Sequence, residues 1–97
     1  MVHQGRGLLK GKVALVAGGA KNLGGLVSRM LASEGASVVV HYNSASSKKD
    51  AMETVQAIKN MGCECIDIQA DFTKVQEVVR TFAEAKTKFG RIDVAVS

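Results

Sequence analysis

The 97-residue chain contains no proline. Its turns must therefore be made by glycine and polar residues, and helices and strands are expected to follow one another on short connections. No apolar run approaches the length that spans a bilayer. The opening stretch MVHQGRGLLKGKV holds only Leu8-Leu9 as an apolar pair, where an export signal needs a longer run. Cysteine is scarce: only Cys63 and Cys65, one residue apart. Neighbouring positions on a strand point to opposite faces, which disfavours a disulfide between them. Without a matching histidine or a second cysteine pair they make poor metal ligands. Both read as structural, which fits a reducing, cytoplasmic compartment. Aromatics are few, Tyr42, Phe72, Phe82 and Phe89, and the phenylalanines sit in or beside apolar stretches. That pattern offers no stacking platform for bases.

The net charge is +4. Residues 1–50 carry seven Lys/Arg against two acids, and residues 51–97 carry six against seven. The excess lies in the half that holds most of the glycines. A nucleic-acid partner is not expected from so local an excess, and GRG at residues 5–7 is too short to act as an RNA-binding segment.

What is present is an alternation of two periods. KVALVA at 12–17 is a short valine-rich run bounded by glycine, the pattern of a strand buried on both faces. Leu23, Leu26, Val27, Met30 and Leu31 then recur at helical spacing, with Ser28, Arg29 and Ser33 on the other side. Gly35 ends that helix. SVVVHY at 37–42 reads as a second strand, with His41 a polar residue near its end. NSASSKKD leads into a helix from about Ser47 to Asn60 with Ala51, Val55 and Ile58 on one face. CECIDIQA at 63–70 alternates as a third strand. Thr73 caps a third helix, with Gln76 placed to reach back to it, and Val75, Val78, Val79, Phe82 and Ala83 form its apolar stripe. Gly90 stops it, and RIDVAVS begins a fourth strand. The order β-α-β-α-β-α-β implies parallel strands joined by helical crossovers, an α/β fold forming the first half of a Rossmann-like doubly wound sheet. Residues 1–97 form one partial domain of this kind, with residues 1–10 a flexible lead-in.

Between the first strand and first helix lies AGGAKNLGG, residues 17–25. Unpaired N–H groups and the positive end of the helix dipole meet there, and both suit a phosphate. A glycine lets a pyrophosphate approach because no Cβ intervenes.

This loop resembles the cofactor loop of the short-chain dehydrogenase/reductase family, Thr-Gly-x-x-x-Gly-x-Gly. Gly18 and Gly24 match it, Ala17 stands where threonine is common, and Asn22 stands where the middle glycine is usual. Asparagine tolerates a left-handed backbone better than other side-chain-bearing residues. GKVALVAGGA, ADFT at 70–73 and FGRIDVAVS resemble further segments of the same family, in the same order. The resemblance implies a cofactor site of Gly18, Gly19, Lys21, Asn22, Leu23, Gly24, Tyr42, Asn43, Ser44, Asp71 and Phe72. In it Asp71 would hydrogen-bond the adenine amino group, with Phe72 near the ring. Asp67 and Asp93 read as structural.

An NAD site of this architecture needs an acid near the end of strand two to hold the ribose 2′-hydroxyl. From Gly35 to Lys49 there is no Asp or Glu. Asn43, Ser44, Ser46, Ser47 and Lys48 offer donors instead, as a 2′-phosphate requires. Lys21 lies where NADP-preferring members of the family often carry a basic residue. NADP(H) is therefore expected in preference to NAD(H).

Reductases of this family carry Tyr-x-x-x-Lys with an upstream serine, and Asn-Asn-Ala-Gly after strand four. Lysine and ribose lower the tyrosine pKa so that it exchanges a proton near neutral pH. Here the one tyrosine, Tyr42, has Ser46 four residues on, and Ser97 falls where Asn-Asn-Ala-Gly would begin. No catalytic residue is assigned. Strand four would leave an apolar edge, and so small a domain buries little surface. The 97 residues are therefore expected to be a piece of a longer carbonyl reductase or alcohol dehydrogenase. Such a protein would act on a small carbonyl or alcohol substrate, be homo-oligomeric, and have neither a membrane nor a nucleic-acid partner. The alternative is a non-catalytic dinucleotide-binding module or a truncated product without turnover. An unrelated Rossmann-like protein such as a methyltransferase ranks last, because that class also wants the missing acid.

Overall fold

The computed structural model describes residues 5–97. Seven elements alternate along it: β1 (Val13–Val16), α1 (Asn22–Ser33), β2 (Ser37–Tyr42), α2 (Lys48–Asn60), β3 (Cys65–Gln69), α3 (Val75–Phe89) and β4 (Val94–Val96). A 3-10 turn, Ala45–Ser47, leads into α2. All strand pairs are parallel, in the order β3-β2-β1-β4. This is the first half of a Rossmann-like sheet, as the alternation of periods predicts. The register sets Val16 beside both Val40 and Val96, so the strands deliver their carboxyl ends to one edge.

Every residue of β1 is buried, because helices cover both faces of the sheet. On one face Ala14, Val16, Val38, Val40 and Tyr42 pack with Ala32 of α1 and Ala51, Val55 and Ile58 of α2. On the other, Leu15, Val39 and Ile68 pack with Ala85, Phe82 and Phe89 of α3. Of the N-terminal stretch, residues 1–4 lie outside the described residues. From Gly5 onward the backbone meets the end of α1: Glu34 Oε1 accepts from the N–H of Arg6, and its carbonyl from that of Leu9.

Several expectations need correction. On α1 the long apolar residues Leu23, Leu26 and Met30 are 73, 52 and 51 % exposed, while Gly25, Ser28 and Ala32 face inward. The helix lies too close to the glycine loop for large side chains: a Cβ on Gly25 would stand 3.2 Å from the Ala20 carbonyl oxygen. Only small residues fit that face, and Ser28 is fully buried rather than solvent-facing. On α3, Val75 and Val79 are 76 and 62 % exposed and Ala83 is also exposed, whereas Thr81 and Ala85 are buried. The predicted cap does not form. Lys74 precedes the helix without a side-chain cap bond. Thr73 instead donates its N–H and its hydroxyl to Asp71 Oδ1, at 3.0 and 2.6 Å, because aspartate closes a local turn of this kind readily. The third strand starts at Cys65, so Cys63 precedes it, and its thiol donates to the Ala32 carbonyl. Both cysteines are free. Burial pushes the Cys65 thiol up to about 12, which leaves it unreactive.

Candidate functional site

In the order β3-β2-β1-β4 the chain steps outward in one direction from β1 to β3, then returns across β1 to place β4 on the other side. Open α/β sheets bind ligands where the order reverses, outside the carboxyl ends of the strands. A cleft of about 180 Å³ lies at that point. Its walls are Val16–Gly18 at the end of β1, Leu23, Gly24 and Val27 of α1, and Val96–Ser97. Grooves of about 550 and 410 Å³ lie elsewhere, along Arg80–Lys88 of α3 and around Cys63–Ile66, away from the glycine loop.

The loop is shaped by two left-handed residues. Gly18 has φ 65°, and a Cβ there would meet nothing within 4 Å, so its backbone is open to an approaching group. Asn22 has φ 55° and is the one non-glycine residue at positive φ among the described residues. Its place in the loop is the middle-glycine position, so asparagine keeps the turn that glycine would make. Gly24 has a different task. A Cβ on it would collide with the Gly18 carbonyl, so its missing side chain lets the helix start against the loop.

α1 begins with no side-chain cap bond and no acid in its first turn. Its ladder opens with the Gly25 N–H donating to the Lys21 carbonyl. The N–H groups of the first turn thus lack helical partners, and the positive end of the dipole lies with them. A helix start of this kind is suited to an anion.

Three buried polar side chains brace the loop from below. Ser28 Oγ lies 2.9 Å from the carbonyl oxygens of both Gly19 and Gly24. Thr54 of α2 donates to the Ala20 carbonyl at 2.6 Å. His41 accepts the Gly18 N–H on Nδ1 at 3.1 Å, and its own carbonyl accepts the Gly19 N–H at 2.9 Å. None of the three was legible as a loop support. Each is a single polar residue inside an apolar context, the valine run of β2 or the inner face of a helix, and that misfit is the signal that could have found them.

Of the expected cofactor residues, Gly18, Gly19, Lys21, Asn22, Leu23 and Gly24 all lie in the loop and first turn. Lys21 and Leu23 are exposed. Asn43 and Ser44 are exposed just beyond β2. Asn43 Oδ1 accepts the Phe72 N–H at 3.3 Å, which links the exits of β2 and β3. The Ser44 and Ser46 hydroxyls are 2.8 Å apart. Asp71 follows β3, and its bonds from Thr73 hold its carboxyl below the usual carboxylate range. Phe72 stacks on His41 with ring centroids 3.5 Å apart. Tyr42 is not brought to this edge by its side chain. It is buried on the α2 face, its hydroxyl 3.3 Å from Asp67 Oδ2. Lys48 joins the same cluster, with Nζ 3.6 Å from Asp67. Its ammonium is favoured by Tyr42 first and Asp67 second. Asp93 Oδ2 accepts the Val13 N–H at 2.9 Å and pairs with Arg91, tying β4 to β1. Among the described residues there is no metal-ligating cluster, and no helix is long and apolar enough to cross a membrane.

The family model described as short chain dehydrogenase matches residues 12–97. The chain belongs to the short-chain dehydrogenase family. This short-chain dehydrogenase sequence is 49 % identical over 89 residues to the hydroxynaphthalene reductase-like protein Arp2 of Metarhizium robertsii. It is 43 % identical over 89 residues to elsinochrome reductase 1 of Elsinoe fawcettii. Each match covers 92 % of this chain and 33 % of the relative, so the chain spans about a third of the length of the curated relatives it matches. Among solved structures, a dehydrogenase from Burkholderia cenocepacia with bound NADP is 51 % identical with a TM-score of 0.87, covering 90 % of this chain and 33 % of that one. A blue fluorescent protein from a metagenomic library, in complex with NADPH, is 38 % identical with a TM-score of 0.86, covering 90 % of this chain and 35 % of that one.

Proposed function

We propose that this chain is the dinucleotide-binding half of an oxidoreductase that uses NADP(H) in preference to NAD(H). The observation that carries the preference is the end of β2. No carboxylate occurs from Gly35 to Lys49, and exposed Asn43 and Ser44 stand where one would hold a ribose 2′-hydroxyl. A carboxylate there would repel a 2′-phosphate, whereas amide and hydroxyl donors, with Lys21 in the glycine loop, would favour it.

The donor set fits a dinucleotide. The uncapped first turn of α1 and the open backbone of Gly18 suit the pyrophosphate. Asn43, Ser44 and Lys21 would hold the 2′-phosphate, and Asp71 and Phe72 the adenine side. Tyr42 would contribute its strand position rather than its buried ring. Lys48 is engaged with Asp67 and Tyr42. When bound, the nicotinamide supplies or accepts a hydride. The substrate would be a small carbonyl compound or alcohol, handled by residues outside this chain in a cytoplasmic homo-oligomer. The NADP and NADPH held by two solved relatives support the reading. A non-catalytic binding module, or a truncated product without turnover, is the second reading, favoured by Ala17 and Asn22, which depart from the family's loop pattern.

The test is calorimetric titration of the full natural protein with NADP⁺ and NAD⁺. NADP⁺ is expected to bind at least about tenfold more tightly, the worth of one charge-assisted contact. Ser44→Asp should shrink or reverse that ratio. Equal affinities for the two nucleotides would sink the preference. Binding without NADPH consumption across a panel of ketones and aldehydes would favour the second reading.

A further inference from the structure

His41 is 1 % exposed, and its ring touches three segments at once. Nδ1 lies 3.1 Å from the nitrogen of Gly18, Nε2 lies 2.8 Å from the carbonyl oxygen of Ala70, and the ring face stacks on Phe72. The hydrogen-bond roles are fixed by the partners. An amide N–H can be accepted only by a bare ring nitrogen, and a carbonyl can be met only by a ring N–H. Both bonds together require the neutral imidazole with its hydrogen on Nε2. A proton on Nδ1 would face the Gly18 N–H head-on. Gly18 opens the glycine loop after β1, and Ala70–Phe72 follows β3, so the ring bridges the exits of β1 and β3 across β2.

We propose that His41 is a positioning residue for the nucleotide: its neutral Nε2–H form sets the spacing between the glycine loop and the exit of β3, and protonation of the ring frees the loop and weakens nucleotide binding. This rests on the dinucleotide reading given above. Among the described residues no charged side chain is bonded to the ring, so such a proton finds no ion-pair partner there. Lys21 on the loop is itself cationic, Asp71 is bonded to Thr73, and Glu77 and Arg80 at the start of α3 pair with each other. Asp67 of β3 is engaged with Tyr42 and Lys48. Burial lowers the His41 pKa below its ordinary 6.5, against the opposing pull of the Ala70 carbonyl. With the folded value below the unfolded one, the neutral clamp is complete above pH 6.5 and is lost as pH falls through the lowered value.

The experiment joins histidine ¹⁵N NMR on the full natural protein with NADP⁺ titrations at several pH values, for wild type and His41→Asn. Asparagine can still accept the Gly18 N–H but does not titrate. Wild type should show His41 protonated on Nε2 alone at about pH 7.5, and a Gly18 amide signal that follows the ring's titration. Between about pH 7.5 and about pH 5, wild-type affinity should fall at least about tenfold further than that of His41→Asn. The comparison cancels titration of the ligand's own phosphate. An Nδ1–H tautomer, a Gly18 amide indifferent to the titration, or parallel pH profiles would each overturn the proposal. The NMR arm decides on wild type alone if the variant does not fold. Linked titration of His41 and Gly18 in a protein that binds no nucleotide would uphold the clamp on the loop and overturn the dinucleotide reading instead.

Discussion

The Gly18 carbonyl and the Gly24 α-carbon approach so closely that no side chain fits between them. Gly18 itself has open space around it but a left-handed backbone. Two glycines of one motif are thus required for different reasons, and substitution separates them. Gly24→Ala forces the helix away from the loop, and overpacking of this kind costs about 1–3 kcal/mol. Gly18→Ala meets no atom and pays only for the left-handed conformation, about 1–2 kcal/mol. In urea unfolding both variants should lose stability. Gly24→Ala should also weaken nucleotide binding, because the N–H groups of the first turn move with the helix. An alanine at 24 with unchanged stability and unchanged binding would mean that the helix start is not fixed by this contact.

At the scale of elements, the loop is held by what lies beneath it. Ser28 on α1 and Thr54 on α2 each direct a hydroxyl at a loop carbonyl in a water-free setting. Ser28→Ala and Thr54→Val leave those carbonyls without their partners, at about 1–3 kcal/mol each. Thermal unfolding should report both losses, and a neutral Thr54→Val would show that water or relaxation replaces the bond. The same two residues mark the boundary of what the sequence made legible. Strand and helix order, parallel pairing and the glycine loop followed from period and punctuation, because those depend on local sequence. The inner faces of α1 and α3 did not. Hydrophobicity selected Leu23, Met30 and Val79, but the close approach of α1 to the loop selected Gly25 and Ser28, and tight packing on the two sheet faces selected Ala32 and Ala85. His41 was misread for a related reason. A polar residue near a strand end is ordinary, and only the tertiary pairing of β2 with both β1 and β3 puts loop groups on its two nitrogens.

At the scale of the whole molecule, these contacts give the fold a pH signature. Thr73 holds Asp71, Arg80 holds Glu77 and Arg91 holds Asp93, each below its ordinary carboxylate value. Lowered carboxylate values mean stability that is present above the unfolded values, 3.8 for the aspartates and 4.5 for the glutamate, and is lost as pH falls through the folded ones. These groups lie near water, so their share is small. His41 acts earlier, from 6.5 downward. The unfolding temperature should therefore be level from that value to about pH 9, decline above it because the Cys65 thiol ionises more readily in the unfolded chain, and decline in two stages below 6.5. His41→Asn should remove the upper stage and keep the lower.

The apolar surface makes a second claim about the whole. Leu23, Leu26 and Met30 on α1 and Val75 and Val79 on α3 are more than half exposed. Among the described residues β4 pairs with β1 alone, so its outer edge presents unpaired backbone groups. Scattered exposed apolar residues are ordinary, but here they are long side chains on the helices of both faces of one sheet. A polypeptide of these 97 residues should therefore bind the dye ANS and sediment as concentration-dependent oligomers. A protein of the same family length as its relatives should do neither to that extent, since further chain would cover these faces. Both consequences follow from burial energetics of about 25 cal/mol per Å² of apolar surface. A monomeric 97-residue chain that leaves ANS dark would show that these side chains are tolerated in water, and the reading of this chain as a half-domain would lose its physical support.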